Sequence, residues 1–133
     1  MDSRLNSTFW ALRIAIGATA FLAGVDKFFN LLVNWEQYVS PLLTKILPLS
    51  PLTLMHVAGV IEIIAGLAVL SGVTRFAPYV VAAWLTAIAL SLLTTGQYFD
   101  VAVRDLVIAV GAYALGRLSE VRESAPAMRT RAA

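Results

Sequence analysis

The chain of 133 residues contains no cysteine and a single histidine. The first absence excludes a disulfide framework, thiol catalysis and any cysteine-held zinc or iron–sulfur cluster. The second excludes a multi-histidine haem or zinc site within the chain, and no metal site is expected. Charge is scarce as well: charged residues make up 14% of the sequence, against about a quarter in a soluble domain. The net charge of +2 is too small for a basic groove, so no nucleic-acid partner is expected. The pI near 9.3 reflects arginines at the C-terminal end. Phosphate-cradling glycine patterns, GxxxxGK[ST] or GxGxxG, are also missing.

What is present is apolar: 59% of the residues are hydrophobic and the mean hydropathy is +0.80. So short a chain cannot hide that much apolar surface in one core, so lipid must cover part of it. A stand-alone soluble enzyme is excluded.

A spanning helix needs about 20 mostly apolar residues. Four segments qualify, over 8–29, 51–73, 76–95 and 101–118, and they predict an all-α fold: a polytopic membrane protein built as a four-transmembrane-helix bundle. Asn6, Ser7 or Thr8 offers an N-cap for the first. The apolar stretch of the fourth, 106–116, is short, with Arg104 and Asp105 in its first turns near the interface. A cleavable signal peptide is the competing reading of the first segment. It fails on Arg13 inside the segment and on the absence of a small-residue cleavage site before Asp26-Lys27.

Between the first two spans, 30–50 carries Leu31, Leu32, Trp35, Tyr38, Val39, Leu42, Leu43 and Ile46 at helical spacing. Two readings stand: an interfacial helical segment with Trp35 and Tyr38 at headgroup level, or an apolar loop folded over the bundle mouth. Ser40-Pro41 and Ser50-Pro51 each read as an N-cap followed by proline at the first helical position. Four spans place both termini on one side. That side holds Arg4, Arg75, Arg117, Arg122, Arg129 and Arg131 against Lys27, Lys45 and Arg104 opposite, which predicts cytoplasmic termini. The transmembrane domain is expected over 1–118 and a disordered polar cytoplasmic tail over 119–133.

Ionisable groups at membrane depth must face protein or water. On the first span Arg13, Gly17, Ala20, Gly24 and Lys27 share a face, taking about 100° per residue. Met55, Gly59, Glu62 and Gly66 do so on the second, and Asp105, Ala109, Ala112 and Gly116 on the fourth. Small residues let backbones approach closely, so these faces predict the bundle interior. Arginine has no neutral form to fall back on, and Glu62 is the one acid near mid-span, so an Arg13–Glu62 ion pair is expected. Asp26, Lys27, His56, Arg104 and Asp105 fall toward the outer end, as a polar cluster or as side chains snorkelling to the interface. Arg13, Lys27, His56, Glu62 and Asp105 are the candidate ligand-binding residues. The plainer reading makes the ion pair a device that fixes register and His56 a hydrogen-bonded interfacial side chain. It assigns Trp10, Trp35, Tyr79, Trp84, Tyr98 and Phe99 to an aromatic belt.

Leu12-Arg13 followed by Gly17, Phe21, Gly24 and Lys27, then Gly59, Glu62, Gly66, Leu70 and Gly72, resembles the DoxX family of four-helix membrane proteins over about 9–116. The resemblance implies a bacterial inner-membrane protein associated with quinol oxidase or thiosulfate:quinone chemistry, with Arg13, Lys27 and Glu62 at the family's polar positions. The cofactor stays unassigned, with a bound quinone or lipid suited to a polar pocket inside an apolar bundle, and a protein partner or homo-oligomer is expected besides membrane lipid. No haem-ligand pair is present, so oxidoreductase activity would belong to a complex rather than to this chain alone. Two other functions stay open: a membrane scaffold or assembly protein, and a small-molecule or proton pathway through Glu62.

Overall fold

Where water is absent a chain must satisfy its backbone internally, so apolar runs of this length become helices. The computed structural model describes residues 3–72 and 75–132, with side chains described for 3–72 and 75–122. Its elements are α1 (Ser3–Asp26), a 3₁₀ turn (Trp35–Tyr38), α2 (Pro41–Ile46), α3 (Pro51–Ser71), α4 (Ala77–Thr94) and α5 (Phe99–Ala132). Helices α1, α3 and α4 are long and apolar enough to cross a membrane. In α5 the apolar stretch 106–116 is bracketed by Arg104-Asp105 and Arg117. Large apolar side chains stay exposed on the outer faces of all four long helices, among them Leu22, Ile64, Val80 and Val107. That is the surface lipid covers, and the chain is a membrane protein.

The long helices pack as two close antiparallel pairs, α1 with α3 and α4 with α5. Contacts of α1 with α5 and of α3 with α4 close the ring. At the end that carries the N-terminus the core is Phe9, Ile16, Val69, Val81 and Leu115; at the other end it is Ala89, Leu92 and Ala102.

Ser40 and Ser50 cap α2 and α3 through their hydroxyls, with Pro41 and Pro51 in the first turn, as the sequence predicts. The start of α1 differs. The helix begins at Ser3, and the Thr8 hydroxyl donates back to the Arg4 carbonyl at 3.1 Å instead of capping. Its end also comes early, at Asp26, because the Asp26 carboxylate accepts the backbone N–H groups of Leu31 and Leu32, both at 3.0 Å, and turns the chain. Helix α5 continues through 118: the Ser119 hydroxyl donates to Leu115 O at 2.8 Å, and Glu120 accepts from the Tyr79 hydroxyl at 2.9 Å. Side chains beyond Arg122, where most of the expected tail falls, lie outside the described ones.

The connection 30–50 folds across one end of the bundle. Ser40 is fully buried with its hydroxyl 2.6 Å from that of Thr94, at the end of α4. Tyr38 meets Tyr98 edge-on at 4.8 Å between ring centroids. Leu31, Leu32 and Ile46 remain exposed.

Candidate functional site

The site begins with four glycines. A Cβ on Gly24 would fall 2.7 Å from the Gly59 carbonyl, and one on Gly66 would fall 2.6 Å from the Phe21 nitrogen. Backbone meets backbone along this seam, as small residues in membrane helices allow. The same register sets the depth of the polar groups. Lys27, in the first residue after α1, lies beside Gly59 and reaches inward along α3.

Its ammonium donates to Glu62 Oε2 at 2.6 Å, and both side chains are buried, at 4% and 7% exposure. The other carboxylate oxygen, Oε1, accepts from Trp84 Nε1 at 3.1 Å, which ties α4 to the pair. Above the ammonium lies the Trp35 ring, 3.8 Å from Nζ to centroid, a cation–π contact in a desolvated setting. Trp35 is itself held by Asp26, whose Oδ2 accepts its indole N–H at 2.8 Å. Asp105 is buried on α5, 3.6 Å from the exposed Arg104 guanidinium and within electrostatic range of Lys27 and Glu62. Among the described residues no buried side-chain polar atom lacks a partner. The cluster therefore joins the end of α1 to α3 and α4, with Asp105 of α5 beside it, and sets an ammonium among three carboxylates and two indoles inside an apolar bundle.

The structure brings Lys27, Glu62 and Asp105 together, as the small-residue faces predict. His56 lies one to two turns from Glu62, toward the start of α3, and stacks on Phe28, centroids 4.7 Å apart at 14°. Arg13 is the correction. It does not pair with Glu62: its Nε donates to Val69 O at 2.9 Å, near the far end of α3. Val69 is about seven residues from Glu62, ~10 Å along the helix, beyond the range of a hydrogen bond. Depth within its own span suggests Glu62 for Arg13, whereas the antiparallel glycine register sets Arg13 level with the end of α3. Lys27, for which the sequence leaves open a polar cluster or snorkelling to the interface, takes the role instead.

Trp84 and Asp26 take parts in the site that the sequence does not assign to them. The belt reading of Trp84 fails because the residue stands near the middle of α4, away from the interfaces where belt rings sit. That position was the available signal. Asp26 was placed in the outer cluster, but its bond to Trp35 depends on how the chain turns after α1, which no spacing reveals.

At the opposite end, Arg13 lies with its Cζ 4.9 Å from the Trp10 centroid and 5.7 Å from that of Phe9. Gly72 caps α3 in the left-handed conformation, φ 67°, and a side chain there would overlap the Arg13 guanidinium.

Compared with known proteins, the chain matches the family model described as DoxX over residues 9–101. That stretch includes Arg13, Lys27, His56, Glu62 and Trp84; Asp105 lies beyond it. No curated protein and no solved structure matches.

Proposed function

This chain belongs to the DoxX family, and from that premise we propose that it serves as the membrane subunit, or anchor, of a quinone-linked redox complex in a bacterial inner membrane. In this reading α5 is the fourth span, both termini are cytoplasmic, and the connection 30–50 rests at the outer interface. The observation that carries it is the buried Lys27–Glu62 pair, held by Trp84 beside Asp105. Quinone reduction takes up protons as well as electrons. A lysine–carboxylate cluster in an apolar bundle supplies a hydrogen-bond donor for a quinone oxygen and groups that exchange a proton with it. Electron carriers belong to partner subunits in this scheme, since the chain lacks cysteine and has one histidine.

A second reading, a membrane scaffold without chemistry of its own, is favoured by one feature. Both oxygens of Glu62 already accept a hydrogen bond from within the bundle, so the buried carboxylate is satisfied without a ligand.

Extraction of the tagged chain in mild detergent, with quinone analysis and identification of co-purifying proteins, separates the two. The redox reading expects a quinone together with a soluble partner, and less quinone from Glu62→Gln. A partner without quinone selects the scaffold. Recovery of neither overturns the proposal.

A further inference from the structure

A cavity of about 310 Å³ opens at the end of the bundle that carries the N-terminus, away from the Lys27–Glu62 cluster. Its walls are apolar, from Phe9, Val69 and Leu115, and three arginines line it: Arg13 on α1, Arg75 in the α3–α4 connection and Arg122 on α5. Arg13 and Arg122 carry the argument. Both guanidiniums lie over the same two rings, Arg122 Cζ being 4.5 Å from the Phe9 centroid and 5.2 Å from that of Trp10. Two like charges held so close repel each other, and the repulsion grows as lipid removes water. Nearby Glu120 bonds the Tyr79 hydroxyl and Arg117, and no carboxylate is among the described residues lining the cavity.

Depth decides what kind of anion fits. Val69 and Gly72 of the lining belong to the last turns of α3, and Pro78 to the first turn of α4, so the cavity lies where helices leave the hydrocarbon. Lipid phosphates lie at that level. Guanidinium forks match phosphate oxygens in pairs, and basic pockets between membrane helices on the cytoplasmic side suit anionic headgroups. The volume suits one polar headgroup set against apolar walls.

We propose that this cavity binds a phosphate group, carried by the headgroup of an anionic phospholipid, between Arg13 and Arg122. The bound phosphate joins α1 to α5, a helix pair whose packing is looser than that of α1 with α3. Gly72 keeps the pocket open, because any side chain there meets the Arg13 guanidinium.

The test uses the full chain in detergent, with thermal unfolding followed on adding phosphatidylglycerol, phosphatidylcholine or inorganic phosphate. Phosphatidylglycerol is expected to raise Tm by on the order of 5 °C over phosphatidylcholine. The rise is expected to be lost in Arg122→Gln, retained in part in Arg122→Lys, and kept in Arg104→Gln, whose exposed guanidinium lies at the other end. An equal rise with inorganic phosphate, lost in the same variant, keeps the site and identifies its ligand as the free anion. Equal stabilisation by the two lipids, or a phosphatidylglycerol effect that survives Arg122→Gln, overturns the proposal. Arg122 lies on α5 beyond the apolar stretch 106–116, and Arg13→Gln, expected to lose the same rise, serves as an independent second variant.

Discussion

Glu62 is the residue on which the interior depends. A buried carboxylate deprived of its counter-ion is strongly destabilising, by about 3–5 kcal/mol, whereas replacing both partners by apolar groups of similar volume is often close to neutral. Lys27→Met and Glu62→Leu are each expected to destabilise the protein by that amount, and the double variant by clearly less than the sum. The coupling is on the order of 1–3 kcal/mol for groups in direct contact. Arg13→Gln combined with Glu62→Leu is expected to be additive within about 0.5 kcal/mol, because the two side chains share no partner. Denaturant unfolding of the variants in one detergent measures both. A strong Arg13–Glu62 coupling would restore the pairing that sequence depth alone suggests. Which residues had to be inside was legible from charge set among glycine and alanine at helical spacing. Which cation met the carboxylate was not, since that follows from the register between helices, and register lives in backbone contact.

At the scale of the element, the seam between α1 and α3 is built of glycines whose missing side chains are occupied by the facing backbone. Gly24→Ala and Gly66→Ala are expected to cost about 1–3 kcal/mol each, since a backbone neighbour cannot rotate away. Gly17→Ala should cost less, because its nearest obstacle is the Leu70 side chain. Gly111→Ala should be tolerated, with Ile16 Cδ1 at 3.7 Å. Thermal melts of the four variants give the order, and a Gly24→Ala protein as stable as Gly111→Ala would show that the seam is looser than described. The helical pattern, the two Ser-Pro caps and the small-residue faces could all be read from the chain, because each depends on neighbours within a turn or two. The early end of α1 and the inward fold of Trp35 could not, because both depend on Asp26 meeting groups that only the tertiary turn brings near.

For the whole molecule, the question is which way it faces. With Lys27 buried against Glu62, the exposed basic groups among the described residues at the end opposite the termini are Lys45 and Arg104, against six arginines that the sequence assigns to the terminal end. Both ends of the chain are therefore expected in the cytoplasm. A cytoplasm-dependent reporter at the C-terminus should be active and a periplasm-dependent one silent, with the opposite result near Lys45. A periplasmic C-terminus with a cytoplasmic N-terminus would mean that α5 does not cross.

The bond between Lys27 and Glu62 joins residues 35 positions apart, and Trp84 completes it 22 positions later. During synthesis at ~5–20 residues per second, Glu62 therefore emerges about two to seven seconds after the lysine it must neutralise. For that interval the Lys27 ammonium lacks the carboxylate it ends up facing, and α1 lacks the bond that fixes its depth against α3. The order of settlement is thereby written into the charge: the first helix to be made waits for the second, and both are locked by a tryptophan on the third.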